Sequence, residues 1–144
     1  MDTQDPRLGA LGWARRLPVA GGVRAGRDWA RRHLDELGWT TSAPETADAV
    51  ILAVSELVAN AHVHARSSAD LVLTWDGQCL YAAVHDSDPR LPGPPRAAGD
   101  DATSGRGLAL VDALADDWQA RPEREGKTVT ACFHPPGRPG HEDG

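Results

Sequence analysis

Asp48-Ala49-Val50-Ile51-Leu52-Ala53-Val54-Ser55-Glu56-Leu57-Val58-Ala59-Asn60-Ala61-His62-Val63-His64 is the stretch on which the fold turns. At ~100° per residue, Val50, Val54, Leu57 and Ala61 fall within about 60° of one another. The spacing predicts a helix with one apolar stripe, and such a stripe must be buried against another element. Just upstream, Thr41 or Ser42 is placed to cap this helix. Pro44 falls in its first turn, and Glu45 suits the positive end of the helix dipole. A second helix is expected before it, from Val23 to Leu37, with Val23, Ala30, Leu34 and Leu37 on one face and Gly38 as its stop. Arg24, Arg27 and Arg31 form a stripe beside that face; such stripes are ordinarily solvated, and a partner contact is the alternative.

Downstream, Ala69 to Trp75 and Cys79 to His85 read as two strands joined by a hairpin at Asp76-Gly77. The next stretch, 87–104, holds Pro89, Pro92, Pro94 and Pro95 and shows no hydrophobic period, which fits a functional lid or a segment without fixed structure. Gly105-Arg106-Gly107 then opens a helix to Leu114. Strands follow over Asp117 to Arg121 and Lys127 to His134. Residues 1–19 read as an N-terminal arm or edge strand, and 135–144 as a flexible tail. With no repeat and no strict βαβ alternation, the expected architecture is α+β: a two-layer sandwich with helices on one face of a mixed, mainly antiparallel sheet, in a single domain over 20–134.

Composition excludes several classes of function. The 144 residues carry 15 Lys+Arg against 21 Asp+Glu, a net charge of −6, with one Tyr and one Phe. That is neither the basic footprint nor the aromatic platform of a nucleic-acid binder. Positive charge is concentrated early, with seven Arg against five acids in residues 1–40. The longest apolar run, Ala49 to Val54, is far short of the ~20 residues of a membrane span, and Met1 to Pro6 has no signal-peptide character. No membrane is expected as partner, and a cytoplasmic location is. Cys79 and Cys132 are far apart in sequence and form no CxxC pair, so they read as small buried apolar residues rather than a zinc ribbon or redox motif.

The polar residues that could carry chemistry are few. Glu56 and Asn60, four apart, lie on the edge of the apolar stripe, where a carboxylate and a carboxamide could serve a phosphate ligand and its Mg²⁺. As spacing alone, a partly solvated boundary pair is the commoner outcome. His62 and His64 point about 200° apart on a helix and cannot chelate one ion. His64 could reach the rim of Asn60, and His62 is expected to be exposed. Asp86 closes an apolar strand, either as a turn former or as an acceptor for an exocyclic amine such as that of adenine. Glycines opening a helix, as at Gly105 and Gly107, let backbone N–H groups approach phosphate.

The order of these pieces carries more than any one of them. Ser55-Glu56-Leu57-Val58-Ala59-Asn60-Ala61-His62-Val63-His64-Ala65, then Asp86-Ser87-Asp88-Pro89-Arg90-Leu91-Pro92, then Gly105-Arg106-Gly107-Leu108-Ala109-Leu110-Val111, then Gly126-Lys127-Thr128-Val129, resembles the GHKL (histidine-kinase-like) ATPase superfamily over about residues 20–134. Within it the chain is similar to the anti-sigma-factor serine/threonine kinases of actinobacterial type. The resemblance implies a Bergerat ATP-binding fold with ATP and Mg²⁺ as cofactors. It implies that Asn60 coordinates the metal, with Glu56 as the catalytic residue that orients or deprotonates the attacking hydroxyl and Asp86 reading the adenine amine. Gly105, Gly107, Arg106 and Leu108 would form the phosphate-wrapping helix start, Arg90 and His64 would line the site, and Thr128 would support the adenine pocket. The implied partners are a sigma factor, which the protein sequesters, and an anti-sigma antagonist, which it phosphorylates. Relatives of this kind are often homodimers. The superfamily's Asp-x-Gly-x-Gly box here reads Asp86-Ser87-Asp88-Pro89-Arg90, without either glycine. A non-catalytic protein-binding module of the same fold, with nucleotide as structural ligand or absent, is therefore the alternative. A detached histidine-kinase catalytic domain fits less well, since no phosphoacceptor heptads precede the motifs.

Overall fold

Apolar periods of two and of 3.6 residues sort the chain into strands and helices in the computed structural model, which describes residues 11–66, 68–88 and 102–135. The strands are β1 (Leu11–Leu17), β2 (Ala69–Trp75), β3 (Leu80–Asp86), β4 (Asp117–Glu123) and β5 (Gly126–Phe133). They form one sheet in the order β1-β2-β3-β5-β4. Every pairing among the described residues is antiparallel, in line with the mainly antiparallel sheet expected and without its mixed component. The helices are α1 (Gly22–Leu37), the single turn α2 (Trp39–Ser42), α3 (Pro44–Ala65) and α4 (Ala102–Leu114). They form the second layer: α1 packs on β1, α3 crosses β2, β3 and β5 in the middle, and α4 rests on β4.

Val50, Val54, Leu57 and Ala61 are all buried, against Leu71, Leu73, Leu80, Val84, Val129 and Phe133 of the sheet. Pro44–Val63 is apolar enough, at a mean hydropathy of 1.3, to pass for a membrane span. Its position between α1, α4 and the sheet accounts for that character, since a central helix meets apolar neighbours on three sides. Gly38 ends α1 in the left-handed conformation (φ 82°), donating its N–H to Asp35 and Leu34 carbonyls. In the hairpin the Asp76 carboxylate accepts the N–H groups of Gln78 and Cys79, both at 2.8 Å. On the sheet face away from the helices, Arg16 pairs with Asp70 at 2.9 Å, and His85 lies between Asp70 and Glu123.

Two local expectations fail. Neither Thr41 nor Ser42 caps α3, because the chain turns once more as α2 and the Ser42 hydroxyl donates instead to the Gly38 carbonyl at 2.9 Å. Ala43 is the N-cap, with no side-chain bond, and the proline in the first turn has no N–H to satisfy. His62 is not exposed but buried, its Nε2 donating to the Leu17 carbonyl at 3.3 Å. The ring fits because α1 begins with glycine. A Cβ on Gly22 would lie 2.5 Å from His62 Cε1.

Gly22→Ala is therefore expected to destabilise the fold by about 1–3 kcal/mol through overpacking, read by urea denaturation. In a His62→Ala background the same substitution should cost markedly less, because the clashing ring is gone.

Candidate functional site

Chain direction brings four sequence-distant segments to one end of the sheet. α3 ends at Ala65 and β2 starts at Ala69, whose neighbour Asp70 pairs with His85 near the end of β3. The C-terminal half of α3 thus lies at the Asp86 end. β5 starts at that end too, with Lys127 opposite Asp86. β4 starts at the other end, opposite Cys132, and α4 leads directly into it. The first turns of α4, about 20 Å back along its axis, therefore return to the Asp86 end.

Asp86 is the last residue of β3, whose alternation buries Leu80, Ala82, Val84 and Asp86 on the helix side. A carboxylate that deep requires partners. Lys127 supplies the charge: its Nζ lies 3.1 Å from each carboxylate oxygen, and both side chains are only 3% exposed. The same ammonium donates to the Asp88 carbonyl at 3.2 Å, and the Asp88 N–H donates to Asp86 Oδ1 at 2.8 Å. A carboxylate has about four acceptor positions, so Asp86 retains capacity for a further donor. Gly126 makes the close strand approach possible, with φ at 134° and its α-carbon so near the Asp86 carbonyl that any Cβ would overlap it.

Lys127 had no role assigned from sequence, although a signal was present. Val129, Ala131 and Phe133 alternate as core residues, and counting back by two reaches Lys127. The same parity sends Thr128 to the outer face, where it pairs with His85, away from Asp86. The residue opposite Asp86 on β5 is Lys127.

Glu56 and Asn60 are half-buried on α3. On its opposite flank, Val58 and His62 meet Gly26 and Gly22 of α1. Glu56 and Asn60 therefore occupy the flank away from α1, which is the side where α4 packs. His64 lies in the last turn of α3, one turn beyond Asn60. Gly105, Arg106 and Gly107 do not open α4, because the helix already starts at Ala102. They form its second turn, and Leu108 after them is buried. Arg90 and most of the expected lid, residues 89–101, lie outside the described residues. A separate cavity of about 220 Å³, lined by Glu45, Thr46, Ala49, Leu114, Asp116, Phe133 and His134, sits at the other end of α3 and contains none of these residues.

This helix-covered antiparallel sheet, with a buried acid ending its central strand at the end to which the C-terminal half of the middle helix runs, has the architecture of the histidine-kinase-like ATPase class. The chain belongs to the family described as histidine kinase-like ATPase domain, whose model matches residues 20–133. Comparison with curated protein sequences gives no match. Among solved structures, it is similar to the RsbU and RsbW domains of a Mycobacterium tuberculosis protein, at TM-score 0.64 and 21% identity over 86% of this chain. It spans 32% of that longer chain. It is also similar to the SiaB-SiaC complex from Pseudomonas aeruginosa, at TM-score 0.63 and 14% identity, covering 89% of this chain and 92% of that one. At these identities the two structures support the fold.

Removing the charge at Lys127 with Lys127→Met leaves a buried carboxylate without its counter-ion. The expected loss is about 3–5 kcal/mol in urea denaturation at neutral pH. Adding Asp86→Asn should recover part of it, since the uncompensated charge disappears while an acceptor for the Asp88 N–H remains.

Proposed function

We propose that this chain binds ATP with Mg²⁺ and acts as a serine/threonine protein kinase of the anti-sigma-factor type. In this reading it sequesters a sigma factor and phosphorylates an anti-sigma antagonist. The observation that carries the reading is the convergence at one end of the sheet of the Glu56/Asn60 flank of α3, the buried Asp86 and the start of α4. Family membership supports the nucleotide. The ordered motifs resembling anti-sigma kinases support the partner class, as does a similar fold solved as a complex of SiaB with SiaC.

Each residue has a role that its setting suits. Asp86 accepts the exocyclic amine of adenine through its remaining acceptor capacity, and Lys127 fixes its position for that contact. Lys127 also cancels one negative charge at a rim that otherwise carries Glu56, Asp86 and Asp88. That lowers the electrostatic cost of admitting a polyphosphate. Asn60 offers a carboxamide oxygen to Mg²⁺, which when bound neutralises phosphate charge. α4 starts at the same end, so the positive end of that helix favours the phosphates, and Gly105 and Gly107 leave its second turn without bulk at two positions. Glu56, one turn from Asn60, accepts the proton of the attacking Ser or Thr hydroxyl as the γ-phosphoryl group moves to it. Catalysis of this kind is positioning and charge neutralisation.

Mg·ATP at 100 times its Kd should raise stability by about 2.7 kcal/mol, seen as a thermal shift. Asn60→Ala and Asp86→Asn should each abolish that shift. Glu56→Ala should keep the shift but eliminate phosphate transfer to an antagonist protein. Intact ATP binding with no transfer by the unaltered chain would select the non-catalytic module instead, the reading favoured by the missing glycines after Asp86.

A further inference from the structure

The two cysteines, remote in sequence, meet on the outer face of the sheet. Tyr81 pairs with Cys132 and Leu80 with Phe133, so the next position in register sets Cys79 opposite His134. Cys79, Cys132 and His134 consequently share one face, and their sulfur and ring-nitrogen atoms all lie within 4.8 Å of one another. Both cysteines are half-buried, and His134 is exposed at the rim. We propose that Cys79, Cys132 and His134 form a zinc-binding site on the outer face of the sheet, at the end opposite Asp86.

The chemistry of the donor set selects this ligand. Two thiolates and an imidazole are soft to borderline donors that favour Zn²⁺ over Mg²⁺ or Ca²⁺. With Zn–S near 2.3 Å in a tetrahedral site, two ligating sulfurs sit roughly 3.8 Å apart, which small rotations about existing side-chain bonds can reach. A disulfide is a poorer fit. Cys79 and Cys132 are a diagonal pair, and diagonal cross-strand residues stand about 7–8 Å apart, against the ~4.4–6.8 Å between α-carbons that a disulfide spans.

The surroundings are also arranged for a metal. Asp116 Oδ2 accepts the His134 backbone N–H at 2.7 Å, fixing where this residue leaves the sheet. Asp117 stands opposite Cys132 on β4, on the same face, and adds negative charge near the site, while water completes the coordination. The site lies seven residues along β3 from Asp86, about 23 Å away, so it is separate from the nucleotide end.

The test uses the reduced full-length protein. One equivalent of Co²⁺ should produce thiolate-to-cobalt charge transfer and the intense visible bands of a tetrahedral site, and Zn²⁺ should displace it. Cys79→Ser and Cys132→Ser should each weaken Zn²⁺ binding by at least about tenfold, measured against a competing chromophoric chelator. His134→Ala, exposed and outside the strands, should do the same while leaving the circular dichroism spectrum unchanged. It decides the matter even where a cysteine variant fails to fold. Absence of charge transfer at one equivalent, an unchanged Zn²⁺ affinity in His134→Ala, or spontaneous loss of both free thiols to a disulfide in air would overturn the proposal.

Discussion

The register of β3 against β5 is the constraint on which the rest depends. A strand has a side-chain period of two, so one step of slippage would exchange its entire core set for its outer set. In the observed register Val84 meets Val129 and Ala82 meets Ala131 beneath α3, while Asp86 lands on Lys127. The apolar pairs specify the alignment, and the ion pair follows from it. The same alignment sets the far end, where the outer-face cysteines come together. One pairing thus positions two chemically unrelated groups of side chains on opposite faces and at opposite ends of the sheet.

The Asp86–Lys127 pair sits where such pairs are costly. Taking both charges out of water carries a penalty of several kcal/mol per ion, which only close geometry and additional hydrogen bonds offset. The structure provides these through the Asp88 carbonyl and N–H. Fourteen of the fifteen basic residues are arginine, and the single lysine is the buried one. A compact ammonium can satisfy one carboxylate and one carbonyl in a narrow space where a planar guanidinium needs room for five donors.

Local patterns were legible, and the joins between them much less so. The faces of α1 and α3, the stop at Gly38 and the hairpin at Asp76-Gly77 depend on residues a few positions apart, and each formed as its period predicts. The exposed reading of His62 overlooked a neighbour 40 residues away, Gly22, which makes room for the ring. Ser42 was read as a cap because its residue type suits one, but α2 redirects its hydroxyl. The apolar alternation in β5 sets Thr128 on the outer face and Lys127 on the inner one. The cysteines looked inert because 53 positions separate them, and only strand pairing closes that distance. For the candidate site, the order of the motifs announced Glu56, Asn60 and Asp86, whereas Lys127 emerged only with the pairing of the sheet.

The long interval between β3 and β5 also has a kinetic side. Asp86 and Lys127 are 41 positions apart, so their encounter closes a large loop and pays chain entropy that the local hairpin β2–β3 does not. The Asp86–Lys127 end consequently has no counterpart in a chain that has formed only its N-terminal helices and first hairpin. In a chain emerging from the ribosome, Asp86 therefore lacks its counter-charge until β5 has been synthesised.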